Sequence, residues 1–106
     1  MDGMEERKKA AETKFRHDKE MEFKSEARRN KLLGRWAAEL MGLSQSETAE
    51  YIREVIEADF EEAGDEDVFR KLRADFDARG IEQSDHQIRR AMAECMEEAR
   101  RQIASE

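Results

Sequence analysis

An all-α four-helix bundle is what this sequence predicts, and three observations predict it. The chain has no proline and is dominated by Ala, Glu, Lys, Arg, Leu and Met, the strong helix formers, while strand-favouring residues are scarce. Its apolar residues recur in steps of three and four. Glycines at 42, 64 and 80, with the strings Ser44-Gln-Ser-Glu47 and Ser84-Asp-His-Gln87, punctuate the chain into four periodic segments. At 106 residues it is one domain, with a modest core.

Residues 1–22 form a charged head whose only apolar residues after the initiator are Met4, Ala10, Ala11, Phe15 and Met21. That is too sparse for a continuous buried stripe. Glu5–Lys9, Glu12–Arg16 and Glu20–Lys24 place a glutamate four residues before a cation, which supports a helix by roughly 0.2–0.5 kcal/mol per pair. A helix held by such pairs alone is marginal in water. The head is expected to be frayed or marginally helical when free, to project beyond the bundle, and to become helical on a partner.

The bundle is expected to span residues 23–106. Its first firm helix runs to about Met41, with a stripe of Phe23, Ala27, Leu33, Trp36, Ala37 and Leu40. Asn30 falls within this face. Gly34, costly in a helix interior, predicts close packing by a neighbour, and Gly42 closes the helix. Ser44 and Glu47 make a capping box for the second helix, whose predicted face is Ala49, Ile52, Val55, Ile56 and Phe60, with Gly64 as its stop. Tyr51 is expected at the bundle edge with a wet hydroxyl. Asp65, Glu66 and Asp67 place acid at the start of the third helix, where the dipole favours it. That helix carries Val68, Phe69, Leu72 and Phe76 and ends at Gly80, with Ile81 turning back to the core. Ser84 and Gln87 cap the fourth helix, whose stripe is Ile88, Met92, Cys95, Met96, Ala99 and Ile103. Short connections predict antiparallel neighbours.

The charge distribution excludes several function classes. Residues 1–31 hold ten Lys/Arg against eight Asp/Glu, or +2, and residues 32–106 hold ten against nineteen, or −9. An acidic body argues against nucleic-acid binding, which needs phosphate neutralisation. No apolar run approaches the roughly 20 residues of a membrane span, and no signal peptide is present, so a cytoplasmic protein is expected. The single cysteine cannot form an internal disulfide and sits on a core stripe, where a structural thiol is the expectation.

Catalytic and metal signatures are missing. His17 and His86 are far apart and neither follows a glutamate by three, the spacing of carboxylate-bridged di-metal bundles. The acidic run from Glu57 to Asp67 lacks the alternating ligands and closing glutamate of a calcium loop, and reads as caps and solvated face. No metal, required cofactor or enzymatic activity is expected. One polar cluster has two readings. Arg28, Arg29, Asn30 and Lys31, with Trp36 close by, offer donors for a phosphate-bearing ligand beside an aromatic ring. Alternatively, the cations pair with the acidic faces of the second and third helices.

The string KFRHDKEMEFKSEARRNKLLGRWAAELMGL, followed by ADFEEAGDEDVFRKLRADF and HQIRRAM, resembles the zeta subunit family, small bacterial regulators of the F-type ATP synthase. The resemblance runs from about Lys14 to the C-terminus. It implies a four-helix bundle and an inhibitor of ATP hydrolysis, monomeric when free, that is recruited to the catalytic head of the membrane-bound synthase. It implies that the N-terminal segment is the inhibitory element, which places Met4, Lys8, Lys9, Glu12, Lys14, Phe15, Arg16 and Lys19 at the partner. It also implies weak regulatory binding of ADP or ATP on the bundle, for which Arg28, Arg29, Asn30, Lys31 and Trp36 are the candidates. The rival function is a nucleotide-sensing scaffold whose head is only a tether.

Overall fold

The computed structural model describes the backbone of residues 3–106 and the side chains from residue 18 onward. Four helices follow in order: α1 (Gly3–Leu40), α2 (Gln45–Ala58), α3 (Glu66–Ala78) and α4 (Asp85–Ala104). Each helix touches its sequence neighbours, and α4 returns to α1, closing a ring. Cross-helix pairs fix the directions. Ile52 faces Gly34 and Asp59 faces Asn30, so α2 runs back along α1. Tyr51 meets Asp75 and Lys71 meets Glu54, so α3 runs back along α2. Arg73 meets Asp85 and Arg89 meets Glu66, so α4 runs back along α3.

The punctuation is the one the sequence predicts at four of the five helix ends it marks with a glycine or a capping box. Both capping boxes form: the Ser44 and Ser84 hydroxyls accept from the backbone N–H groups of Glu47 and Gln87, whose side chains accept in return from the cap N–H. After α1 and α3 the chain closes in the same double-bonded glycine turn. Leu43 N–H donates to Ala38 C=O and Ile81 N–H to Phe76 C=O, with Gly42 and Gly80 at positive φ. Helix α2 differs: it stops at Ala58, and Gly64, also at positive φ, lies further on in the connection to α3.

The core is Leu33, Ala37 and Ala38 from α1, Tyr51 and Val55 from α2, Val68, Phe69, Leu72 and Phe76 from α3, and Ile88, Ala91 and Met92 from α4. Full burial of each larger aliphatic or aromatic side chain stabilises by about 1.5–3 kcal/mol. Trp36 packs edge-to-face on Phe76, with centroids 5.7 Å apart at 88°, which adds about 0.5–1.5 kcal/mol. A Cβ on Gly34 would lie 2.9 Å from Ile52 Cγ1 and 3.1 Å from Ile52 Cα, so a side chain there would push α1 and α2 apart.

The faces of α3 and α4 are those the periodicity predicts, while those of α1 and α2 are turned. Along α1 the buried positions are 25, 29, 33 and 37, with 30, 34 and 38 beside them. Ser25, Arg29 and Asn30 therefore occupy the lower core face, and Phe23, Ala27 and Leu40 are exposed. Steps of four back from Leu33 lead to Arg29 and Ser25 and bypass Phe23 and Ala27. On α2 the buried residues are Tyr51, Val55 and Ala58, and Ala49 is exposed. Tyr51 is buried because its hydroxyl finds a partner, donating to Asp75 at 2.7 Å beneath the Lys71 ammonium. Phe60 lies past the end of α2, so the helical stripe no longer governs it, and it is 73% exposed.

Candidate partner-binding surface

Two parts of α1 carry the residues that the sequence singles out. At about 1.5 Å per residue its 38 residues extend about 57 Å, against about 30 Å for the 20 of α4. The bundle's hold on α1 reaches down at least to Glu22, which accepts from Arg100 Nη2 at 3.0 Å. Above this, Arg28 donates to Gln102 at 2.7 Å and to Glu106 at 2.6 Å, so the end of α4 lies across α1 between these two points. Asp18, Lys19 and Glu20 are exposed on the other side of that hold. The side chains of Met4, Lys8, Lys9, Glu12, Lys14, Phe15 and Arg16 lie outside the described residues, on a stretch whose backbone continues α1.

The polar cluster beginning at Arg28 divides among three surroundings. Arg28 faces the end of α4. Lys31 is exposed. Arg29 is 1% exposed and Asn30 2%, and both sit in a buried hub. Arg29 Nε donates to Asn30 Oδ1 at 2.8 Å, and its two terminal nitrogens reach Asp59 at 3.4 Å and Asp65 at 3.1 Å. Asn30 Nδ2 donates to Asp59 at 2.9 Å. Trp36 is turned into the core against Phe76. The five residues therefore do not converge on one open site, and the pairing of a cation with the acidic ends of α2 and α3 is realised at Arg29.

That hub also accounts for the acidic run. Asp59 caps the C-terminal end of α2, and Asp65 precedes α3 without making a side-chain cap bond, its carboxylate being directed to Arg29 instead. Asp67 is buried and accepts from the backbone N–H groups of Glu62 and Val68, which fixes the turn between α2 and α3. Only part of the run is solvated surface. Glu26 lies beside the hub, and its carboxyl is pushed above the usual carboxylate range by burial and by Asp59, against the pull of Arg29. Burial likewise raises the Cys95 thiol. Among the described residues no group of His, Cys, Asp and Glu is arranged to hold a metal, and no helix is long and apolar enough to cross a membrane.

Sequence reasoning placed Asn30 on the buried face but missed that Ser25 and Arg29 share it. The signal was there, in the four-residue steps below Leu33. The partners of Arg29 come from the far side of a loop and carry no such signal.

Comparison with known proteins gives a consistent result. A search of curated proteins returns no significant match. Among solved structures three chains match. One of them, a protein solved by solution NMR, is 45% identical with a TM-score of 0.71, over 80% of this chain and 96% of that one. The sequence pattern described as ATPase inhibitor subunit zeta matches residues 1–102. A match that runs from the head of α1 into the last turns of α4, on a four-helix fold, places the chain in the ATPase inhibitor subunit zeta family.

Proposed function

We propose that the protein inhibits ATP hydrolysis by the F-type ATP synthase by inserting the N-terminal part of α1 into a catalytic interface of the head. The observation that carries this reading is the family match itself, which includes the arm as well as the bundle. The geometry supports it: α1 is far longer than its partner helices and is held by them from about Glu22 onward. Residues 1–22 then act as the inhibitory arm and residues 23–106 as its mount. Met4, Lys8, Lys9, Glu12, Lys14, Phe15, Arg16 and Lys19 are the contact candidates, with Phe15 the bulkiest apolar anchor among them. A helix lodged between subunits blocks the opening and closing on which rotation in the hydrolysis direction depends. Its affinity is set by how far the arm is already helical, because ordering it on binding costs free energy. The protein acts as a monomer and a non-catalytic regulator, recruited from the cytoplasm to the membrane-bound enzyme.

The nucleotide-sensor reading has weaker support. A phosphate reaching Arg29 and Asn30 would have to displace Asp59 and Asp65 from a buried site. ADP or ATP as a weak regulatory ligand would then rely on Arg28 and Lys31 alone.

The test compares the full chain with one beginning at Glu20 in an ATP-hydrolysis assay on the purified catalytic head. The shortened chain is expected to keep its cooperative thermal unfolding and to lose inhibition. Undiminished inhibition by the shortened chain would refute the insertion mechanism.

A further inference from the structure

The turned faces of α1 and α2 leave apolar side chains without a core to enter. Phe23 on α1 is 64% exposed. It lines an open groove with Ala27, with Ile52 and Ile56 of α2, and with Ile103 near the end of α4. The rim is cationic: Lys24 and Lys31 border it, and Arg28 stands between them, tied to Glu106. This is the reverse of the molecule's overall balance of −7. An exposed phenyl ring among isoleucines is the kind of anchor that dominates binding energy when covered.

We propose that this groove is a second docking surface, and that it takes a segment of the catalytic head with apolar side chains flanked by carboxylates. The proposal rests on the function proposed above and names how the bundle contributes to it. Three features choose the occupant. The cationic rim selects an acidic partner. The groove opens at Phe23, directly after the point where the bundle takes hold of α1, so a partner that grips the arm is already beside it. A second copy packed groove to groove would bring two cationic rims together, a like-charge contact that disfavours self-association. Tethering through the groove holds the arm near its interface, which raises the effective concentration for insertion.

The test measures inhibition of the catalytic head by full-length protein carrying Phe23→Ser or Lys24→Glu, with Phe60→Ser as a control for loss of an exposed aromatic outside the groove. Both groove substitutions change exposed residues, so thermal unfolding should stay at the wild-type temperature. Each is expected to raise the half-maximal inhibitory concentration about tenfold, with the inhibition reached at saturation unchanged and Phe60→Ser behaving as wild type. If wild type inhibits and the groove variants inhibit at the same concentration, the groove proposal is overturned while the arm mechanism stands. An equal weakening by Phe60→Ser also overturns it, because the effect would not belong to the groove. A wild-type dimer in sedimentation that Phe23→Ser dissolves, with inhibition unaltered, would make the groove a contact between copies. A wild-type chain that fails to inhibit would remove the proposed function, and the groove's role with it.

Discussion

Arg29 and Arg28 are adjacent in sequence and opposite in energetic role. Arg28 reaches Glu106 at the surface, where half-exposed ion pairs contribute at most about 1 kcal/mol. Arg29 is enclosed, and its guanidinium joins α1 to the end of α2 and the start of α3. Removing it leaves Asp59 without its cationic partner, held only by the Asn30 amide, and opens a void. Arg29→Ala is therefore expected to lower unfolding stability by about 3 kcal/mol, the lower end for a broken buried pair because Asp65 is half-exposed. Arg28→Ala should cost under about 1 kcal/mol. Urea denaturation of the two variants tests this, and a similar midpoint for both would mean that the hub is not structural. The buried side of this contrast was partly legible: helical steps of four from Leu33 pass through Arg29, and Asn30 lies on the predicted face. The identity of the acceptors was not legible, because Asp59 and Asp65 are brought to Arg29 by the turn that Asp67 fixes, and no local period encodes that closure.

In the proposed mechanism helix α1 serves both arm and bundle, and its middle is where the two join. Insertion by a rigid arm requires the helix to be continuous from the bundle into the arm, whereas a tether needs only a connection. Glu20 is exposed and precedes the first residues that the bundle holds. Glu20→Pro removes the hydrogen bond to the carbonyl of Arg16 and clashes with it, at a cost of about 3 kcal/mol to helix continuity. For the bundle portion the same proline falls at a helix start, where it is tolerated. The expected result is an unchanged bundle melting temperature with inhibition weakened about tenfold or more. Inhibition equal to wild type would favour the tether. The ends of the elements were well encoded, since Ser44, Gly42, Gly80 and Ser84 act through local backbone geometry alone. The end of α2 was not. Gly64 is a true turn glycine, but the helix gives out earlier, where Asp59 turns to Asn30 and Arg29. Stripe direction was legible for α3 and α4, where bulky residues leave one choice, and not for α2, where the burial of Tyr51 depends on Asp75 from another helix.

For the molecule as a whole, charge determines how stability follows pH. Glu47, held by the Ser44 backbone N–H, Glu66, held by Arg89, and Glu98, held by Arg101 and Gln102, all have carboxyls below their ordinary range. Each binds its proton less tightly in the folded chain, so each contributes above the unfolded carboxylate pKa and loses that contribution as pH falls through the folded value. Glu26 has the opposite sign. Its carboxyl is raised, so the folded chain holds that proton more tightly and stability declines as pH rises through the shifted value. An acidic molecule adds self-repulsion in the same direction. Stability is thus expected to be greatest at mildly acidic pH, falling below about pH 4 as carboxylates protonate and easing downward towards neutrality. Glu26→Gln isolates the second branch, because it keeps the shape and removes the charge facing Asp59, Asp65 and Glu22. At pH 7 it should raise the melting temperature by about 2–4 °C, within the range of a change away from the core. At about pH 4, where the raised Glu26 carboxyl carries less of its charge, the gain should shrink. A variant less stable than wild type at pH 7, or one with the same advantage at both pH values, would mean that Glu26 is not a repulsive carboxylate in the folded protein.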